Sequence, residues 1–208
     1  RDLISACSGK TRSSRPVGVK VGVLALQGDV AEHIAAFREA LAERPGSSVT
    51  AVRRAADLAG LDALAIPGGE STTISRLIEK NGLYEPLVGF EGGIFATCAG
   101  MVLISDRVDD PRIRTLSLIP MHVARNAFGR QVDSRETMLE VAGLAEPFRA
   151  VFIRAPVATD AGDGVEVLAR IPEGIVAVRS GRHMAFAFHP ELGGDLRLHR
   201  MFLEGLGV

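Results

Sequence analysis

Three short stretches hold side chains whose types and spacing could do covalent chemistry. In Thr97-Cys98-Ala99-Gly100 a thiol lies between a short apolar run, Ile94–Thr97, and a helical segment reaching about Ser105, with a glycine two residues on. This strand–nucleophile–glycine–helix layout is that of a nucleophile elbow. A helix N-terminus favours the thiolate over the thiol. A cysteine buried as a small hydrophobe is the bland alternative. The second stretch, His189-Pro190-Glu191, reads as extended, so residues two apart face the same way and the proline stiffens the chain between them. A carboxylate beside an imidazole holds one tautomer, and the other ring nitrogen can then take a nucleophile's proton. A surface His-Pro turn with an unrelated glutamate is the competing reading. The cysteine, histidine and acid all fall at strand ends, and together they favour nucleophilic acyl transfer.

The third stretch is Pro67-Gly68-Gly69-Glu70-Ser71. Paired glycines let backbone N–H groups come close to a substrate, so the N–H groups of Gly69 and Ala99 are candidates for an oxyanion hole. A phosphate cradle is the rival use of such a loop. No lysine follows it as in a P-loop, and Glu70 puts negative charge where phosphate would sit. His33, His122, His183 and His199 show no metal-ligand spacing. His33 and His199 fall on helices and read as polar-face residues. No metal and no cofactor are expected.

The elements that must position these residues alternate in the first half. Val19–Leu26, Val49–Val52, Leu61–Ile66 and Ile94–Thr97 read as strands. Helices follow the first strand (Asp29 and Glu32 forming a capping box, with Val30, Ile34, Phe37 and Leu41 inward), the third (Ser71–Lys80) and the fourth. Tyr84–Phe90 is a further helix. This is the pattern of a doubly wound α/β sheet, whose ligand site lies beyond the carboxyl ends of the strands. The second half reads as strands over 116–123, 137–141, 150–153, 165–169, 174–179 and 183–188, closed by a helix over 195–206 with Leu198, Met201, Phe202 and Leu206 on its inner face. The expected fold is α/β, a three-layer open sheet, mostly parallel with antiparallel additions.

Composition bounds the partners. Lys and Arg number 24 against 25 Asp and Glu, leaving no electrostatic footprint for nucleic acid or an acidic membrane. No apolar run approaches the ~18 residues of a membrane span. With two cysteines, Cys7 and Cys98, a disulfide framework is excluded and a reducing compartment, the cytoplasm, is expected. Residues 1–18 carry basic and Ser residues without apolar periodicity and read as a disordered tail, and residues 19–208 as one domain.

Taken together, Gly-Gly-Glu-Ser, Thr-Cys-Ala-Gly and His-Pro-Glu resemble the class I (triad) glutamine amidotransferases, which have a flavodoxin-like core. VGVLALQGDVAEHI (21–34), IPGGESTTISRLI (66–78), TCAGMVLIS (97–105), RNAFGRQVDS (125–134), VFIRAP (151–156) and FHPEL (188–192) resemble, more narrowly, the glutaminase subunits of pyridoxal 5′-phosphate synthase. The resemblance implies hydrolysis of L-glutamine through a thioester on Cys98, with His189 as base and acid and Glu191 orienting it. It implies glutamine contacts from Gly69, Glu70, Ser71, Arg125, Ile153 and Arg154. It also implies delivery of ammonia to a barrel-shaped synthase subunit in a hetero-oligomer that makes pyridoxal 5′-phosphate from sugar phosphates. By elementary chemistry a guanidinium, Arg125 or Arg154, suits the substrate's α-carboxylate, and Glu70 its α-ammonium. The chain departs from the family pattern over Gly89–Phe95 (GFEGGIF), which is short before the nucleophile. A subunit that docks without hydrolysing glutamine, and a different Cys-His hydrolase on the same scaffold, are the competing functions.

Overall fold

The computed structural model describes residues 18–125 and 134–207. The expected tail, apart from Gly18, and residues 126–133 of the RNAFGRQVDS stretch lie outside them. Strand β1 (Lys20–Leu24) is an apolar run whose last four residues are buried, and it pairs in parallel with β2 (Ser48–Val52) on one side and β3 (Ala63–Ile66) on the other. Helix α1 (Val30–Ala40) connects β1 to β2, and α2 (Ser71–Lys80) follows β3. The chain thus winds away from β1 in both directions, and right-handed connections place the two helices on opposite faces. On one face α1 packs against the final helix α5 (Arg197–Gly205); on the other α2 packs against α4 (Ala99–Ile104). Three layers result. The gap between the β1 and β3 ends is the topological switch point, where open α/β sheets bind ligands.

Beyond β3 come β4 (Gly93–Thr97) and then β12 (His183–Phe186), both parallel. After β12 the sheet turns antiparallel through β11 (Gly174–Ser180), β9 (Val157–Ala161) and β6 (Ile119–Ala124), and it ends on β5 (Ser105–Val108). β10 (Glu166–Ile171) also pairs with β11, and a separate hairpin joins β7 (Ser134–Leu139) to β8 (Phe148–Ile153). The short segment before the nucleophile leaves the sheet in register: Gly93 to Ala96 pair with β3 without interruption, and Phe95 to Thr97 with β12.

Two helices bury a different stripe from the one expected. In α1 the buried residues are His33, Ala36 and Phe37, while Val30 and Ile34 are only partly buried. In α5 they are Leu198, His199, Phe202 and Leu203. His33 and His199 are therefore not polar-face residues: both are 0% exposed. Each lies within one turn of a phenylalanine that anchors its helix, and the inward arc is wide enough to take the histidine in with it. Nor does Asp29 cap α1 through its side chain; its carboxylate turns into the site instead.

Candidate active site

Cys98 is set by strand and helix together. β4 ends at Thr97, α4 begins at Ala99, and Cys98 between them has φ 48° and ψ −106°, a sparsely populated conformation for a residue with a Cβ. Its N–H donates to the Phe186 carbonyl of β12 at 2.8 Å, which secures the turn from the neighbouring strand. Gly100 lets α4 cross the end of β3, since a Cβ there would lie 2.1 Å from the Ile66 carbonyl oxygen. The thiol is buried, 8% exposed, with Sγ 3.8 Å from the Ile153 carbonyl oxygen at the end of β8.

His189 and Glu191 follow β12, but the segment is not extended. Residues 190–192 form a 3-10 turn with His189 at its start. The proline opens that turn, and the turn rather than the strand pleat brings Glu191 Oε1 to 2.7 Å from His189 Nδ1. The His189 N–H donates to the Val151 carbonyl at 2.9 Å, tying the residue to β8. Asp29 Oδ2 stands 3.3 Å from the same ring nitrogen. Burial by itself would lower the imidazole's proton affinity; hydrogen bonds with Asp29, Cys98 and Glu191, and the charge of Glu191, outweigh it and hold the ring far above its ordinary range. Burial would raise Glu191, whose side chain is sealed from solvent; the charge of His33 and hydrogen bonds from His189 and His33 keep it well below the usual carboxylate range. Asp29, His189 and Glu191 are also the described group whose atoms could hold a metal. Their geometry fits one Nδ1–H proton facing two acceptors.

The loop after β3 completes the enclosure. Gly68 lies directly against the imidazole, where a Cβ would meet His189 Cε1 at 2.4 Å. Its N–H donates to Thr97 Oγ1 at 3.1 Å. Gly69 has φ +152°, and a Cβ there would lie 2.5 Å from Gln27 Oε1. Glu70 caps α2: its carboxylate accepts from the N–H groups of Thr72 and Thr73 at 3.2 and 2.7 Å and from their hydroxyls. Although burial opposes it, this hydrogen bonding lowers Glu70 to about 2. Arg125 donates to Glu70 at 3.2 Å and to Asp110. Arg154 is exposed, sits at φ 42°, and has no carboxylate partner among the described residues.

These groups surround one cavity of about 360 Å³. Every site residue singled out from the sequence lines it (Gly69, Glu70, Ser71, Cys98, Ala99, Arg125, Ile153, Arg154 and His189) except Glu191, which lies behind His189. Sequence reasoning missed Asp29, Val102 and Pro156 as lining residues, and missed His33 behind the acid. Asp29, His33, Phe37 and Leu41 recur every four residues, so a stripe drawn through Phe37 and Leu41 would have found both polar residues. A volume of this size suits a small amino acid, and a thiol, an imidazole and a paired carboxylate suit acyl transfer from it.

An open α/β sheet carrying a cysteine elbow, a His–Glu pair and a Gly-Gly loop at its switch point defines the glutamine amidotransferase class. A solved structure described as a glutamine amidotransferase is similar at a TM-score of 0.80 and 48% identity, covering 90% of this chain and 99% of that one. A solved structure from Thermoplasma acidophilum, described as part of a putative GMP synthase, shares the fold, with a TM-score of 0.60 at 14% identity over 91% of this chain and 92% of that one. The SNO glutamine amidotransferase family model matches residues 23–207, and the chain belongs to that family. It is similar to pyridoxal 5′-phosphate synthase subunit PdxT of Methanoculleus marisnigri, 90% identical over 192 residues, covering 92% of this chain and 100% of that protein. The protein of the same name from Methanosphaerula palustris is 65% identical, covering 91% and 98%.

Proposed function

We propose that the chain is the glutaminase of a pyridoxal 5′-phosphate synthase and that Cys98, His189 and Glu191 carry its reaction. L-Glutamine is hydrolysed to L-glutamate and ammonia, and the ammonia is supplied for vitamin B6 synthesis. His189 takes the Cys98 proton, and Sγ attacks the side-chain amide carbon. The oxyanion that forms is met by the N–H groups of Gly69 and Ala99. His189 then protonates the leaving nitrogen, the C–N bond breaks, and ammonia departs from a γ-glutamyl thioester. Water attacks the thioester carbon while His189 takes its proton. The C–S bond breaks, glutamate leaves, and His189 returns the proton to Sγ. α4 has only six residues, so the positive charge beside Sγ is that of His189, which Glu191 and Asp29 hold protonated.

Substrate recognition follows from what is already paired. Arg125 is occupied by Glu70 and Asp110, which leaves the Arg154 guanidinium to take the α-carboxylate. Glu70 is engaged as well, by Arg125 and by the N–H and hydroxyl groups of Thr72 and Thr73. It keeps its negative charge at the cavity wall to attract the α-ammonium, with Ser71 and Ile153 flanking the side chain of the substrate. No cofactor enters these steps. The partner is a synthase subunit, barrel-shaped and in a hetero-oligomer, that receives the ammonia. We place the protein in the cytoplasm, where Cys98 stays reduced; no described helix is long and apolar enough to cross a membrane.

The observation that carries the reading is the elbow cysteine facing an imidazole whose Nδ1 is 2.7 Å from a sealed carboxylate. Glutamate release from L-glutamine, with and without a synthase subunit, tests it. Release by the wild type that disappears in Cys98→Ala supports it. Equal release by Cys98→Ala would refute the thioester route, and no release with the partner bound would leave a docking subunit.

A further inference from the structure

His33 is fully buried on α1, outside the cavity, and the reaction steps above do not use it. Its Nε2 lies 3.4 Å from Glu191 Oε1, the same oxygen that accepts from His189. An ionised carboxylate only accepts, so the Nε2 facing it carries a proton. That Nε2 is also 2.9 Å from Thr97 Oγ1, and the same hydroxyl oxygen accepts the Gly68 N–H at 3.1 Å. One ring nitrogen therefore touches both halves of the machinery, the acid behind the imidazole and, through Thr97, the loop whose next residue is Gly69.

We propose that His33 is a positioning residue for glutamine hydrolysis, holding Glu191 Oε1 on His189 and bracing the Gly68-Gly69 loop through Thr97. This rests on the roles given above to Cys98, His189 and Glu191. Without the second donor, a buried carboxylate has one imidazole on Oε1 and is free to turn or to take up a proton. The imidazole then loses its fixed tautomer, and the thiol its charged partner. The direction of the Glu191 shift agrees, since His33 acts on it both by charge and by hydrogen bond. Phe95 meets the His33 ring edge-on at 6.2 Å, so the ring has an apolar wall on one side and its polar work on the other.

The experiment compares wild type, Cys98→Ala, His33→Leu, His33→Gln and Thr97→Val as full chains with the synthase subunit. It measures kcat and KM for L-glutamine, and it follows alkylation of Cys98 by iodoacetamide against pH. Leucine removes the donor, whereas a glutamine amide reaches the place of Nε2. The expected result is a kcat about 10- to 100-fold lower in His33→Leu at little-changed KM. Its alkylation profile should move to higher pH, and both effects should be largely restored in His33→Gln. Thr97→Val should lower kcat by a smaller factor. A folded His33→Leu with wild-type kcat overturns the proposal, as does a His33→Gln as slow as the leucine variant. If His33→Leu does not fold, His33→Gln and Thr97→Val decide, wild-type alkylation profiles and rates in Thr97→Val with a crippled His33→Gln being the overturning result. Should Cys98→Ala still release glutamate, the thioester reading fails instead, and the two failures are told apart.

Discussion

Two buried histidines in this core have opposite fates. His189 faces Asp29, Cys98 and Glu191 at the mouth of β4 and binds its proton far more tightly than a free imidazole. His199 is stacked on the Phe95 ring at 4.7 Å and meets Phe37 edge-on at 5.0 Å; neither of its nitrogens has a hydrogen-bond partner among the described residues. Burial lowers His199 to about 3. Depth in the protein is nearly the same for both, so depth does not decide charge. The neighbours within hydrogen-bond reach do, because they either replace the water that burial removes or fail to.

The contrast is broken most severely at the thiol. Cys98→Ala should reduce glutamine hydrolysis by about 10⁴-fold or more, because nucleophile and base act as a unit. Steady-state assays check this, and denaturant melts should show a fold no less stable. Next comes Glu191→Gln, which keeps the shape but removes the charge and so pushes His189 toward the condition of His199. A loss of about 10²- to 10⁴-fold in kcat is expected. The sign of the pH effect is set by the shift: a weaker hold on the His189 proton should move the alkaline limb of the rate profile to lower pH. Arg154→Met, a change confined to the pocket, should raise KM for L-glutamine about 10-fold or more, with kcat altered less. A kcat loss without a KM change would reassign that arginine. The smallest effect belongs to His199→Leu, with activity unchanged. In the wild type the unfolded chain takes up a proton near pH 6.5 that the folded state refuses until about pH 3, so stability should fall as pH drops through that window. Urea melts at pH 7 and pH 5 should show this fall flattened in His199→Leu.

The cysteine, the His–Pro–Glu group and the Gly-Gly loop were legible because each is a local word in the chain, and chemistry restricts which residues can spell it. His33 and Asp29 were not, because their partners are distant in sequence. A histidine on an amphipathic helix looks polar until Glu191, contributed by the far end of the chain, is placed behind it. Asp29 mimics a helix cap in its spacing, yet its carboxylate is drawn to His189. Of the strands, β5 was missed because it is an edge strand of sequence SDRV, half-exposed and without alternation. β9 was missed because only its first two residues, Val157 and Ala158, are buried. The central strands β1, β3 and β4 announced themselves as short apolar runs, as buried parallel strands do.

The place of β12 has a consequence for the order in which the protein comes into being. It lies between β4 and β11, so the last strand made is inserted into the middle of the sheet. A ribosome that has finished everything through Ser180 has released Cys98 but neither His189 nor Glu191. Until β12 emerges, β4, whose every residue is buried in the finished fold, presents an open apolar edge. On the proposed mechanism the Cys98 thiol is therefore without its base throughout synthesis and gains it only when the sheet closes. Completion of the chain and onset of chemistry are one event, and a chain truncated before residue 183 should be both inert and prone to aggregate.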